Sequence, residues 1–262
     1  MDLRQQSVTR YITPMREGGS LPALADADDG FKYIVKFRGA GHGTKALVAE
    51  LIGGEIARRL GLKVPEIVFL NLDTDFGRTE PDIEIQELLQ ASRGLNLGLH
   101  YLSGAFTLDP YSNSVSAHEA SLIVWLDAFI TNVDRTVRNT NMLVWNHETW
   151  LIDHGAALYF HHTWKDADRT MNSPFTYIKD HALLRRATAL DEADTYAKQL
   201  ITSDWLAQLT STLPDEWLHY DDTDMTPDEI RHTYHRWLAG RLENSQNFLS
   251  EAKDAHRKSL II

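Results

Sequence analysis

TNVDRTVRNTNMLVWNHETWLIDHG, residues 131–155, decides how the rest of this 262-residue sequence is read. Asp134 is followed by Arg135, and Asn139 comes five residues after that aspartate. Two short apolar runs follow, residues 142–145 and 150–152, separated by the polar Asn146-His147-Glu148. Runs of β-forming residues joined by a short polar link predict a hairpin. Closing it brings Asn139 or Asn141 at its start near Asp153 at its end, a cluster of carboxylate and amide oxygens. Such a cluster suits Mg²⁺, which prefers oxygen and keeps waters or phosphates in its shell. Asp134, one step upstream, can orient or deprotonate a hydroxyl.

Upstream of this stretch the sequence reads as strands around one helix. FKYIVKF, residues 31–37, alternates strictly, with Phe31, Tyr33, Val35 and Phe37 on one face and Lys32, Ile34 and Lys36 on the other. The glycine-rich RGAGHGT follows, with Thr44 expected as a helix N-cap. Residues 45–60 carry Leu47, Val48, Leu51, Ile52, Ile56 and Leu60 at helical spacing and stop at Gly61. Further strands are expected over 8–12, 21–25, 65–70 and 83–89, and residues 92–104 read as irregular and glycine-rich. A strand lysine held by a helix glutamate is how protein kinases grip nucleotide phosphates, which makes Lys36 and Glu50 the candidates for that pair. Asp, then Asn five later, then a hairpin, then Asp-x-Gly is likewise the spacing of the protein-kinase catalytic and metal loops. Gly18, Gly19 and Ser20 form the turn expected to cover the phosphates, because it precedes the lysine strand; Gly39-Ala40-Gly41-His42-Gly43 is the other glycine cluster.

Downstream the texture is helical. Helices are expected over 119–130, 181–189, 193–201, 203–213 and 227–261, with a loop over 156–174. Thr226-Pro227-Asp228-Glu229 is a helix start, with a capping hydroxyl, proline in the first turn and acids at the positive end of the dipole. Trp205, Leu206, Leu209, Trp237, Leu238, Leu242, Phe248 and Leu249 sit at helical spacing and are read as core.

Composition narrows the function. Lys+Arg 26 against Asp+Glu 37 leaves a net charge of −11, which argues against general nucleic-acid binding. The absence of cysteine excludes disulfides, thiolate metal sites and cysteine nucleophiles. The apolar runs are too short to span a bilayer and no basic-then-apolar leader opens the sequence, so a cytoplasmic protein with no membrane association is expected. His147, His154, His161 and His162 lie near Asp153, but their spacing matches no zinc signature. Neither the Gly-x-Ser-x-Gly elbow nor the dinucleotide fingerprint occurs.

The combination of YITPMREGGSLPAL, YIVKFRGAGHGTKALVAELIGGEIARRLGL, ELLQASRGLNLGLHYLSGA, WLDAFITNVDRTVRNTNMLVW and WLIDHGAALYFHH resembles the HipA-like kinase family, from about Tyr11 to about Leu184. The resemblance implies an α+β, two-lobed protein-kinase-like fold: a small β-rich N-terminal nucleotide-binding lobe with one main helix over residues 1–89, and a larger, mostly helical lobe over 90–262. It implies an ATP- and Mg²⁺-dependent serine/threonine kinase, with a small-molecule kinase or a non-catalytic nucleotide-binding module as the alternatives. By the same resemblance Lys36 is the nucleotide lysine, Glu50 its partner and Asp134 the catalytic aspartate. Asn139 and Asp153 are then the metal ligands, and Glu87, Leu88 and Leu89 form the hinge that meets adenine. Ser20 lies in a loop comparable to one that self-phosphorylates in some relatives. The partners implied are a protein or small-molecule hydroxyl acceptor and a regulatory protein. Two features depart from the family's toxins: Thr136 stands where a histidine is expected, and the Gly18–Ser20 turn falls so early that their extra N-terminal subdomain is not expected here.

Overall fold

A computed structural model describes residues 3–15, 21–41, 43–73, 80–111 and 115–261. Five strands, β1 (Gln5–Pro14), β2 (Ala23–Ala27), β3 (Lys32–Lys36), β4 (Ile67–Leu72) and β5 (Gly94–His100), form one sheet in the order β1-β2-β3-β5-β4. It closes on itself through parallel pairing of β1 with β4, Gln5 opposite Phe69. Small residues make so tight a curl possible. Ala23, Ala25 and Ala27 point inward with Val8, Tyr33, Val35, Val68 and Leu70, and a Cβ on Gly98 would sit 2.5 Å from Leu70 Cδ1. The opposite face of β5 presents Leu95, Leu97 and Leu99 to a second, larger core.

That second core is shared between the sheet's outer face and the helices. Helix α1 (Gly43–Arg59) is buried at every position from Leu47 to Ala57, as a helix enclosed on all sides must be. It lies in the same cluster as α3 (Ala117–Phe129), whose residues Ala120 to Phe129 are all buried. Behind α3 lie α4 (Ala167–Met171), α5 (Leu190–Leu200), α6 (Ser203–Ser211), α7 (Pro227–Glu243) and α8 (Gln246–Ser259). A three-stranded sheet, β6 (Phe106–Thr107), β7 (Met142–Trp145) and β8 (Glu148–Leu151), lies outside the closed one. The chain passes from the strand-rich part to the helix-rich part through residues 101–105, between β5 and β6.

Several expected elements fall differently. Residues 83–89 are not a strand but the body of α2 (Ile83–Ala91), capped by Asp82, whose side chain accepts from the Glu84 and Ile85 amides. IEIQELL satisfies a two-residue alternation by eye, yet Glu, Gln and Leu favour a helix and the Asp82 cap settles it. Within residues 92–104, expected to be irregular throughout, LNLGL alternates with leucines outward and Asn96 and Gly98 inward, forming β5, and only the flanks at 92–93 and 101–104 lack regular structure. The strand-rich part therefore runs to His100, past the boundary expected at Leu89. Thr44 is not the cap of α1; it lies one residue inside the helix and its hydroxyl donates to the Trp217 carbonyl at 2.8 Å. Residues 181–189 form a bridge at His181 and a single 3-10 turn rather than a helix, and 227–261 is two helices broken at Asn244-Ser245. The Thr226 capping box forms as expected.

Arg241 on α7 is buried, and among the described residues it has no acidic partner. Its guanidinium donates to five backbone carbonyls: Ala128 and Phe129 in the last turn of α3, and Thr170, Met171 and Ser173 at the end of α4. Helix-end carbonyls have no partner within their own helix, and burial denies them water. Arg241→Met is expected to destabilise the fold by about 3 kcal/mol or more, since several acceptors are left unsatisfied at once. Urea unfolding measures it; a change under about 1 kcal/mol would show that water replaces the guanidinium.

Candidate active site

Strand alternation sends Tyr33 and Val35 into the closed sheet and Lys36 to the opposite face, towards α1. There Lys36 Nζ donates to Asp153 Oδ1 at 2.6 Å and stands 3.7 Å from Glu50 Oε2. Glu50 is 2% exposed and Asp153 40%, so the ammonium bridges an interior carboxylate and one open to solvent. Glycine makes the approach possible: a Cβ on Gly53 would lie 2.7 Å from His154 Cβ. α1 thus rests directly on the Asp153-His154-Gly155 turn, where Asp153 adopts φ 58°.

The charges hold each other in place. Burial acts to lower the Lys36 pKa, but Glu50 and Asp153 outweigh it and raise the pKa above the ordinary lysine value. Burial likewise opposes ionisation of Glu50, yet Lys36 and the nearby His154 bring its pKa down to about 2. A carboxylate depressed in the folded state contributes stability that is present above its unfolded value and lost as pH falls towards the folded one. The stability gap between the protein and its Glu50→Gln variant is therefore expected to shrink between pH 4.5 and about 2. Denaturant unfolding at a series of pH values tests this; a gap independent of pH would show that Glu50 acts through shape alone.

The second half of the site begins where α3 ends. Thr131 turns the chain with φ 56°, and the Asp134 amide donates to Asn132 Oδ1 at 3.2 Å. Asp134 Oδ2 accepts from Asn139 Nδ2 at 2.8 Å and from Asn141 Nδ2 at 3.0 Å. The hairpin closes with Trp145 opposite Glu148, through Asn146 and His147, both at positive φ. Its link is thus two residues rather than three, and positive φ at both matches the twist of the flanking strands. At the open end the Ile152 amide donates to the Asn141 carbonyl at 3.0 Å, which sets Asp153 one residue beyond Asn141's partner.

A buried network beneath this end was not anticipated. Arg135 Nη1 donates to the carbonyls of Asn141 and Ile152, tying both arms of the hairpin to the loop that carries Asp134. Arg135 Nε donates to Asp127 Oδ2 at 2.6 Å; Asp127 Oδ1 accepts from Asn132 Nδ2 at 3.0 Å. His181 Nε2 lies 2.9 Å from Asp127 Oδ2, while His181 Nδ1 accepts from the Leu183 amide, so the ring proton sits on Nε2. Burial opposes the Asp127 charge, but Arg135 and His181 hold its carboxyl well below the usual range. One signal for Asp127 is present in the sequence: a charged residue inside the apolar run LIVWLDAFI needs a buried partner.

The structure brings Lys36, Glu50 and Asp153 together and gathers Asn139 and Asn141 on Asp134. Gly18, Gly19 and Ser20 lie outside the described residues. Glu87, Leu88 and Leu89, expected as the hinge, lie inside α2 rather than on the stretch that joins the sheet to the helices, and the Leu89 carbonyl accepts from the Ser92 amide. For a metal, the donor set is all oxygen. Asp153 spends one carboxylate oxygen on Lys36, and Asn139 and Asn141 spend their amide nitrogens on Asp134, leaving their carbonyl oxygens as potential ligands. This fits a hard divalent cation such as Mg²⁺, and the adjacent ammonium fits phosphate.

A family model described as HipA-like kinase matches residues 8–250. Among solved structures, the Helicobacter pylori proinflammatory kinase CtkA shares the fold with a TM-score of 0.58 at 11% identity, covering 99% of this chain and 98% of that one. The Golgi casein kinase with Mn and ADP bound gives a TM-score of 0.47 at 14% identity, over 94% of this chain and 73% of that one. No curated protein sequence matches.

Proposed function

The chain belongs to the HipA-like kinase family, and from that premise we propose that it transfers the γ-phosphoryl group of ATP, with Mg²⁺, to a serine or threonine hydroxyl of a protein. The observation that carries this reading is the Lys36 ammonium held between Glu50 and Asp153. Bound ATP and Mg²⁺ supply the transferable group and neutralise charge at the phosphates. Lys36 binds phosphate oxygens, kept in place by Glu50. Asp153, with the carbonyl oxygen of Asn139 or Asn141, holds the metal. Asp134, oriented by those two amides, positions the acceptor hydroxyl and accepts its proton as the new O–P bond forms and the bond between the γ-phosphorus and the β–γ bridging oxygen breaks, with ADP leaving. Most of the rate enhancement then comes from positioning and charge stabilisation.

Two lobes meet at this site in the proposed arrangement: the closed sheet with α1, and the helical remainder. Adenine recognition falls to residues 101–105, which connect them, in place of Glu87–Leu89. Among the described residues no helix is long and apolar enough to cross a membrane.

Incubating the protein with γ-labelled ATP, Mg²⁺ and a bacterial lysate tests the function. Label is expected on protein serine or threonine; label on metabolites alone would make it a small-molecule kinase, and no transfer to any acceptor would overturn the reading. Asp134→Asn is expected to leave ATP-analogue affinity within about twofold while lowering turnover by about 10²–10⁴. Equal losses of binding and turnover would contradict the division of roles between Asp134 and Asp153.

A further inference from the structure

The segment between α6 and α7 crosses to the sheet and to the first turn of α1. Glu216 Oε2 accepts from Arg38 Nη1 at 2.6 Å, and the Glu216 carbonyl accepts from Arg38 Nη2 at 3.0 Å. Trp217 is fully buried, its Nε1 donates to the Leu95 carbonyl of β5 at 2.8 Å, and its carbonyl accepts from the Thr44 hydroxyl. Asp222 Oδ2 accepts from Lys45 Nζ at 2.6 Å, and that ammonium lies over the rings of Trp164 and Tyr220, 5.3 and 4.9 Å from their centroids. Even the backbone is fitted to the crossing: Gly94 has φ 88°, and a Cβ there would lie 3.1 Å from both Arg38 Nη1 and Glu216 Oε2.

Thr44 and Lys45 open the helix that carries Glu50. In a kinase the placement of this helix decides whether the lysine–glutamate pair forms, and it is the element that activation commonly moves. We propose that Glu216, Trp217 and Asp222 are positioning residues that hold α1 so that Glu50 faces Lys36, making the pair a built-in feature of the fold rather than one awaiting phosphorylation of the segment after Asp153. This rests on the phosphotransferase reading for its consequence in catalysis, but not for its structural content. Glu216 and Asp222 have side chains about half exposed, 48% and 47%. Either ion pair alone is therefore weak. The hold comes from both acting with the buried Trp217, so the test removes both charges while leaving the indole.

The double variant Glu216→Gln, Asp222→Asn is compared with the parent protein by amide hydrogen exchange without nucleotide, and by steady-state kinetics. Exchange is expected to quicken in residues 43–50 and not in α8, because local opening is confined to what the segment touches. KM for ATP is expected to rise by about fivefold or more, a common size for coupling between sites, with kcat changed less than about twofold. The charge swap Arg38→Glu, Glu216→Arg, made alone, is expected to keep more protection in residues 43–50 than Arg38→Glu alone. Gly94→Ala, which intrudes on the same contact, is expected to loosen the same amides. Unchanged exchange in residues 43–50, or quickening shared equally with α8, would overturn the proposal. Should the parent protein transfer no phosphate, the kinase reading fails while exchange alone still decides whether the segment holds α1.

Discussion

Replacing Asp153 with asparagine is expected to abolish metal-dependent nucleotide binding and to lower phosphoryl transfer by at least about 10³, more than loss of a single neutral hydrogen-bond donor costs. Asp153 is the more solvent-open of the two carboxylates around Lys36 and the acid that ends the hairpin, so it is where a cation can reach. An amide keeps the shape but removes the charge that makes the carboxylate a strong ligand for a hard cation. It also removes one of the two anions that raise the Lys36 pKa, leaving Glu50 as the remaining anionic partner. Titration calorimetry with a non-hydrolysable ATP analogue, with and without Mg²⁺, separates the effects. The variant is expected to bind weakly and equally in both conditions. Retained dependence on Mg²⁺ would place the metal elsewhere.

Arg135→Leu is expected to destabilise the fold by about 3–5 kcal/mol, the cost of leaving a buried charge without its partner. Both Arg135 and Asp127 have fully buried side chains, and among the described residues His181 and Asn132 would remain on the Asp127 carboxylate. The double variant Arg135→Leu, Asp127→Leu is expected to be more stable than the single one, because two apolar side chains of similar bulk leave no stranded charge. Urea unfolding of the three proteins decides it; a single variant within about 1 kcal/mol of the parent would mean the pair is structurally idle. Since Asp127 is depressed in the folded state, its contribution is present above the ordinary aspartate value and lost as pH falls below it. Activity should suffer as well, because Arg135 ties the loop carrying Asp134 to both arms of the hairpin.

Local periodicity and spacing carried the features that lie within one or two neighbouring segments. Strict alternation made residues 31–37 a strand and pointed Lys36 away from Tyr33 and Val35, and helical spacing placed Glu50 on the next element; the two meet in the structure. Two short β-forming runs around a polar link gave the hairpin that ends at Asp153. Thr226 and Glu229 specified their own helix start because a capping box is complete within four residues. Short ambiguous segments were decided elsewhere. IEIQELL fits either period, and the Asp82 cap tips it towards helix; LNLGL looks irregular until β3 and β4 flank it. The closure of the sheet, the Asp127–His181 contact and the hold of residues 215–222 on α1 depend on pairs separated by tens to more than a hundred residues, such as Arg38 with Glu216. Period and spacing describe what one segment buries. They say nothing of which distant segment it is buried against, and a buried charge such as Asp127 acquires its partner only when the chain has packed.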